Sequence, residues 1–527
     1  MKKYKKILYV LAILWIIVLY FISLPAINIH SLGFWHYALY ALVPLFLINL
    51  DYSLNIRSFF KNSKNRLITS TLALLSVIVL LADFVGTPLF GGLNAYRNRI
   101  SVPEISKFSD IEQFDKTQVQ IIDKSISESL ADRVFGELGA DIVSQYKISD
   151  NYASSVVNNS MYRLTPVEYS GIIKWFNTKS KGTPGFISVN VTTGETEFIE
   201  LQEGLKYTQD AYFLNNLSLH LRLQYPTFIF GNSKFEVDDN FNPYWVSQVM
   251  SYKFIGKASD VKGVVLTNPI NGESKYYDVK DVPSWVDNVY DAPLISSQYN
   301  SYGKYKNGLF NFSQKGVTAT TDDYAYLQKN GHLWMYTGIT SVGNDESNVG
   351  FIYVDLQNKN MIYIVSAGAE EYSARASAEG ALQEKGYTAV FPTMVNIEDE
   401  PVYFMGLKDN AGLIKAYAFV SYKNYQKVAV GTTVQEALKN YTGKNTYVED
   451  DTVKLTITVK EVANAVINGY TIYYLKDTND NYYSCSIEIS NSLPFVKTGD
   501  ILNVTVTIND NQIVEISNIV QSQTLHV

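Results

Sequence analysis

Three apolar runs in the first 86 residues constrain this chain more than any other feature. Residues 7–24 carry no charge and follow the basic start Lys2-Lys3-Tyr4-Lys5-Lys6. Residues 32–50 form the second run, interrupted by His36 and Pro44, and residues 67–86, LITSTLALLSVIVLLADFVG, form the third. Runs of this length and apolarity have the dimensions of membrane spans. The first is long for the core of a signal peptide, ends in Ser-Leu-Pro-Ala-Ile-Asn and is followed by further apolar runs, so it reads as an uncleaved anchor. Between the second and third runs lie Arg57, Lys61, Lys64 and Arg66. Basic residues in short loops stay cytoplasmic, which places this loop and the N-terminus on the same side with a pair of spans between them. The third run then leads outward, and the expected location is the cell membrane with the large C-terminal region extracytoplasmic. Asp83 and His36 read as interfacial groups rather than as parts of a relay.

Charge divides at the same point. Residues 1–66 hold eight basic side chains and one acidic one, whereas the remainder carries a formal −14. Nucleic-acid affinity comes mainly from Lys and Arg neutralising phosphates, so a region this acidic disfavours a nucleic-acid partner. A single cysteine, Cys485, removes any internal disulfide framework, and the fold must rest on packing. Forty tyrosines against six tryptophans point to β-rich structure.

The domain reading is an anchor over 1–90, with spans at about 7–24, 32–50 and 67–86, and then a polar connector over 91–117 read as a stalk or short membrane-proximal segment. A repeat region covers 118–441 and a terminal β module 446–527. Residues 118–122 alternate like a strand, and Asp123 is placed to cap a helix over 125–138 with Gly139 beyond its end. Ile126, Leu130, Val134 and Leu138 supply that helix's buried stripe.

Within the repeat region one pattern occurs three times: a strand, a tight turn and a second strand. It begins at Gly185, Gly263 and Gly350, with Thr193-Gly194 and Asn271-Gly272 at the first two turns, where hairpins need positive φ. Aromatic strands at 244–249 and 334–339 precede the later two copies, helical segments are expected at 210–224 and 370–385, and a further hairpin at 401–409 and 414–422. The unit is one helix with a small antiparallel sheet.

A helix followed by such a hairpin resembles the PepSY family of small extracytoplasmic α+β modules, which implies modulation of an extracytoplasmic peptidase. The succession of 131–139 (ADRVFGELG), 165–177 (TPVEYSGIIKWFN), 284–286, 302–305 and 367–372 is similar to a group of multi-span membrane proteins of Gram-positive bacteria. That likeness covers roughly 60–440 and implies a membrane location. In the terminal module, strands expected at 453–462, 469–475, 482–487, 501–507 and 513–519 resemble the OB fold. The expected fold class is thus a three-span helical anchor, extracytoplasmic PepSY-like α+β repeats and a C-terminal all-β OB-like barrel.

Catalytic signatures are thin. Ser144-Gln-Tyr-Lys147, Ser149-Asp-Asn151 and Lys497-Thr-Gly499 match the penicillin-binding set, but the first two are nearly contiguous and the third falls in a barrel turn. Asp477 to Asn481 imitates an EF-hand loop, yet Tyr482 stands where that loop needs glycine. The acidic Asp238-Asp239-Asn240 reads as a turn. With scattered histidines and one cysteine, no metal, cofactor or catalytic residues are assigned. The candidate recognition surface is the outer face of the barrel, Tyr470, Ile472, Tyr474 and Tyr482, opposite inward-facing Tyr473 and Leu475. The expected function is a non-enzymatic, membrane-anchored binding or scaffold protein of the cell envelope, with the bilayer and an envelope protein or peptide as partners. The alternative is a cell-envelope hydrolase or transferase using carboxylates between repeats.

Overall fold

The apolar runs form helices. Lys2–Ser23 (α1), Leu32–Asn49 (α2) and Ser63–Val85 (α3) open the computed structural model, which describes residues 2–49, 63–342, 348–443, 452–467, 470–490, 492–507 and 513–521. Within α1, Lys5–Ser23 is long and apolar enough to cross a membrane; the apolar parts of α2 and α3, Leu32–Ile48 and Arg66–Ala82, are shorter. Arg57 and Lys61 of the basic loop, and the side chains of Lys64 and Asp83, lie outside the described residues. The indole of Trp15 donates to Tyr40 O (3.2 Å) and the phenol of Tyr37 to Ile16 O (3.4 Å), which hold α1 against α2.

Two compact units follow from the packing, Met1–Lys444 and Asn445–Val527. The larger is mostly β. Its first sheet contains Tyr146–Ile148 (β1), Ala153–Val157 (β2), Ser160–Tyr169 (β3), Thr183–Asn190 (β4) and Thr196–Leu205 (β5). The second contains Ile229–Val237 (β6), Pro243–Phe254 (β7), Lys257–Thr267 (β8) and Ser274–Asp278 (β9). Thr318–Thr320 (β10), Ala325–Lys329 (β11), His332–Ser341 (β12), Asn348–Asp355 (β13) and Met361–Gly368 (β14) make the third. The fourth is Thr388–Ala389 (β15), Thr393–Ile397 (β16), Glu400–Lys408 (β17), Ile414–Ser421 (β18) and Val428–Gly431 (β19).

All four sheets are the same antiparallel meander, with the first strand broken in the first, third and fourth and bulged in the second. Thus β1 and β2 both pair with β3, β10 and β11 with β12, and β15 and β16 with β17, while the register of β6 on β7 slips between Phe230 and Ser233. A helix precedes each sheet: Lys124–Gly136 (α4), Leu217–Gln224 (α5), Ala292–Tyr305 (α6) and Glu371–Ala381 (α7), with Val434–Thr442 (α8) closing the series. The side chains of Asp123, Asn216, Asp291 and Thr433 cap α4, α5, α6 and α8 by accepting from a backbone N–H in the first turn. The helices are shorter than their apolar patterns. Over 210–224 only 217–224 is α-helical, because the chain first makes a 3-10 turn at Phe213–Asn215. After α7 a 3-10 turn ends at Gly386 in the left-handed region.

The three repeated hairpins are the third and fourth strands of the first three sheets. Their turns take positive φ at Gly194 (82°), Gly272 (80°) and Lys359 (63°). Lys359 takes this conformation, unusual for a non-glycine, in a turn closed by Lys359 N donating to Asp355 O (2.9 Å), while its ammonium bonds Asp260 Oδ1 (2.7 Å), Arg99 O (2.9 Å) and Gln298 Oε1 (3.1 Å). Gly185, Gly263 and Gly350 occupy equivalent positions, where a Cβ would collide with a carbonyl of the fourth strand.

One apolar core unites the four sheets, including Met161, Val246, Met335 and Phe404. The connector and the segment after it also belong to it: Ser106 N donates to Tyr363 O (2.9 Å), Phe114 N to Asn396 O (2.8 Å) and, beyond the connector, Ile122 N to Val191 O (2.9 Å). Phe114 packs on Phe404 and Phe419. Residues 106–122 are therefore a tie across three sheets rather than a free stalk. At another side, Arg222 fixes the α1–α2 turn by donating to Leu24 O (2.9 Å) as well as to Tyr225 O, Pro226 O and Phe228 O.

The smaller unit is a ring of five strands, Thr452–Ile467 (β20), Tyr470–Asp477 (β21), Tyr482–Ser486 (β22), Ile501–Thr507 (β23) and Ile513–Gln521 (β24). It closes in the order β20-β21-β22-β24-β23, with β22 and β24 parallel and the other pairs antiparallel. Tyr473, Leu475, Tyr483 and Cys485 point into its core.

Candidate functional site

The three strand breaks and the register slip of β6 converge. A polar cavity of about 550 Å³ is lined by Asp150 to Ser154 from the break in the first sheet, Lys234 beside the slip in the second, Asp323 and Tyr324 at the break in the third, and Val390 and Phe391 at that in the fourth. Interrupting a first strand releases its backbone from the ladder and turns polar side chains towards the junction, whereas an unbroken strand there would fill it.

Arg163, on β3, reaches this cavity from within the fold and is only 5% exposed. Its Nη1 donates to Ser127 Oγ (3.0 Å) and Ile122 O (3.3 Å). Among the described residues its Nε and Nη2 have no hydrogen-bond partner in the protein, and no carboxylate comes within 4.0 Å of it. Burial lowers its pKa. Arg375, from α7, donates through Nη2 to Ala389 O (3.0 Å), and its Nε is buried without a partner. Lys234 is half-buried, and no ion pair from it occurs among the described residues.

The cavity's carboxylates are placed differently. Asp123 accepts from Lys408 Nζ (2.6 Å), Ile126 N (2.9 Å) and Ser125 Oγ (2.8 Å). Burial alone would raise its pKa, but these bonds outweigh burial and hold it below the ordinary value. Asp150 and Asp323 are exposed at the mouth. The pattern is cationic depth with an acidic rim. Tyr324 and Tyr326 stand edge-to-face, 5.4 Å between centroids, on one wall; burial raises both phenols' pKa values, which keeps them neutral donors.

Beneath the cavity is a buried junction organised by Asp287. Its Oδ2 accepts from Val156 N (2.6 Å) and Ser155 Oγ (2.9 Å), and its Oδ1 from Leu333 N (2.9 Å). Glu236 accepts from the backbone N–H groups of Asp287 (2.9 Å) and Asn288 (3.0 Å). Two carboxylates thereby tie the first three sheets together. Burial raises both pKa values, with the charge of Glu236 adding to the effect on Asp287.

The sequence-derived candidate surface falls on the smaller unit. Ile472 and Tyr474 alternate with buried Tyr473 and Leu475 and are half-exposed, and Tyr482 is 49% exposed. Tyr474 lies opposite Ser484, and Tyr482 opposite Lys476, whose ammonium stands 5.0 Å from the ring centroid. The side chain of Tyr470 lies outside the described residues. The other motifs have local explanations. Ser149 donates to buried Glu168 (2.5 Å), Lys147 pairs with that carboxylate (3.4 Å), and Lys497 N donates to Asp500 in its own turn. Asp477 accepts from Asn479 N, Asn481 N, Asn481 Nδ2 and Tyr483 Oη, and so shapes a hairpin turn. Asp238 similarly accepts from Asn240 N and Asn242 N. Among the described residues there is no group of three or more His, Cys, Asp or Glu placed to hold a metal ion.

Sequence reading passed over Arg163 and Asp287. The available signal was a single charge between apolar neighbours, YRL for Arg163 and WVDNVY for Asp287.

No family model matches the chain. No curated protein matches it. Among solved structures, a mutant levansucrase of B. megaterium aligns with 78% of this chain and 98% of its own at 8% identity, with a TM-score of 0.17. Similarity this low carries no argument about fold or activity.

Proposed function

We propose that this chain is a membrane-anchored binding protein of the cell envelope, and that the cavity at the strand breaks is its recognition site. In this reading α1, α2 and α3 all span the bilayer with the N-terminus cytoplasmic, the four-sheet region and the barrel lie outside, and the partner is an envelope protein, peptide or smaller envelope component. The observation that carries the reading is the cavity itself: polar, drawn from all four sheets, and lined by Arg163, whose Nε and Nη2 have no partner among the described residues. The carboxylates expected of a hydrolase gain no support, since Asp123 is committed to Lys408 while Asp150 and Asp323 face solvent. The helix-plus-meander unit supports the PepSY-like reading of the repeats. The five-stranded ring supports the OB-like reading of the terminal unit.

Photo-crosslinking in intact cells tests the recognition site. A photoreactive residue in place of exposed Asp323 at the mouth is expected to give an adduct that the same residue at Lys253, away from the cavity, does not. Equal adducts at both positions, or none at either, refute the assignment. Orientation is read separately: Ser313→Cys, at an exposed turn, should react with a membrane-impermeant maleimide before lysis. Reaction only after lysis overturns the extracytoplasmic placement.

A further inference from the structure

We infer that the cavity takes a small polar anion, one bearing a carboxylate or phosphate group, with that group seated on Arg163 and the positive charges of Lys234 and Arg375 lining the same space. The inference rests on the binding reading above and adds the chemistry of the ligand.

Three independent features point this way. The first is the state of Arg163. An arginine of which only 5% is exposed is costly to bury unless its charge and donors are answered, and here one nitrogen is satisfied by neutral oxygens while the remaining donors meet no partner among the described residues. A guanidinium is a planar fork whose paired N–H groups match the two oxygens of a carboxylate or phosphate, so the missing partner has a definite shape.

The second is Arg375. It lines the same space from helix α7, donates through Nη2 to Ala389 O and has a buried Nε without a partner. Arg375 thus brings a second guanidinium to the lining, with no carboxylate beside it among the described residues.

The third is the contrast with neighbouring charges. Lys408 is matched by Asp123 at 2.6 Å and Lys124 by Glu128 at 3.4 Å. The chain thus neutralises the cations it does not need at this junction and leaves Arg163, Lys234 and Arg375 without a carboxylate within 4.0 Å, among the described residues. The region carrying them has a formal −14, so the average field repels anions and the cavity must win by local geometry. The acidic mouth of Asp150 and Asp323 would select against extended polyanions and admit a single compact group. A volume of about 550 Å³ exceeds that of a bare ion and leaves room for a polar body beside the phenols of Tyr324 and Tyr326.

The test uses the full chain in detergent at low ionic strength, with isothermal titration of inorganic phosphate, glucose 6-phosphate, glucuronate and glucose. The sugars share a body and differ in carrying a phosphate, a carboxylate or no charge. Saturable binding is expected for phosphate or for at least one charged sugar, not for glucose, and each of Arg163→Gln and Lys234→Gln should weaken it by about tenfold or more. Whichever of glucose 6-phosphate and glucuronate binds more tightly identifies the oxyanion. Lys234 is half-buried, so its variant keeps the test open if Arg163→Gln fails to fold. Anion binding unchanged in both variants overturns the inference. Absence of anion binding while the mouth crosslink still forms overturns it too and leaves the recognition cavity standing. Loss of both binding and crosslink removes the two together.

Discussion

Replacing Asp287 by alanine should show whether the four-sheet unit is held at its centre by a carboxylate. The side chain is 1% exposed and accepts three hydrogen bonds, two from the first sheet and one from the third, while its own N–H is bound by Glu236 of the second. Alanine leaves the N–H groups of Val156 and Leu333 and the hydroxyl of Ser155 without an acceptor in a dry junction. Each orphaned buried donor costs about 1–3 kcal/mol, and the relief from no longer burying a carboxyl beside Glu236 offsets part of the sum. A net loss of about 2–5 kcal/mol is expected. For a unit this large a kcal/mol shifts the melting point by about 1–2 °C, so the variant should melt about 2–10 °C lower. Asp287→Asn keeps one acceptor but aims an amide donor at another donor, and should fall between alanine and the parent. The pH dependence adds a second readout. Because the folded-state pKa of Asp287 is raised, the folded protein holds a proton that the unfolded chain has released, so this contribution to stability is present in acid and is lost as pH rises above the usual carboxylate range. Tryptophan-fluorescence melts of the full chain in detergent, across mildly acidic to mildly alkaline buffers, measure both effects. An alanine variant melting within about 1 °C of the parent at every pH would refute the idea that this carboxylate joins the sheets.

Three further outcomes are expected. Asp210 accepts from Tyr169 N (2.6 Å) and Thr208 Oγ1 (2.7 Å), and burial, with the charge of Glu168, pushes its pKa up to about 6. Its share of stability is therefore present below its ordinary pKa of 3.8 and lost as pH rises through about 6. Asp210→Asn should flatten the melting temperature against pH over that window, and an unchanged slope would count against it. Gly303 lies where α6 crosses β10, and a Cβ there would collide with Thr318 O. Gly303→Ala should lower the melting point by the equivalent of about 1–3 kcal/mol despite alanine's better helix propensity, whereas a rise would mean the helix is free to shift. Cys485 is 2% exposed and burial pushes its thiol up to about 12. Native protein should resist N-ethylmaleimide and denatured protein react fully, as followed by mass spectrometry; rapid native labelling would show that the barrel opens.

The hairpins were legible because their determinants are neighbours in the chain. Thr193-Gly194 and Asn271-Gly272 supply positive φ within a few residues of the strands they join, and Asp123 announces the helix that it caps. In the terminal unit, Tyr473 and Leu475 face inward and Ile472 and Tyr474 outward because side chains alternate along any strand. The interrupted first strands were not legible. Segments such as 146–157 and 318–329 carry weak alternation, and their breaks take meaning only from the strand beside them.

What the sequence determined by itself is the apolar start, the charge division after it, the local hairpins and the five terminal strands. Each depends on composition or on a period of two to four residues. Tertiary structure alone decided that three strand breaks and a register slip border one cavity, that Arg163 lies there without a carboxylate within 4.0 Å among the described residues, and that Asp287 joins strands 132 and 46 positions away. A charged residue's role depends on what neutralises it, and in this protein that is settled between sheets far apart in the chain.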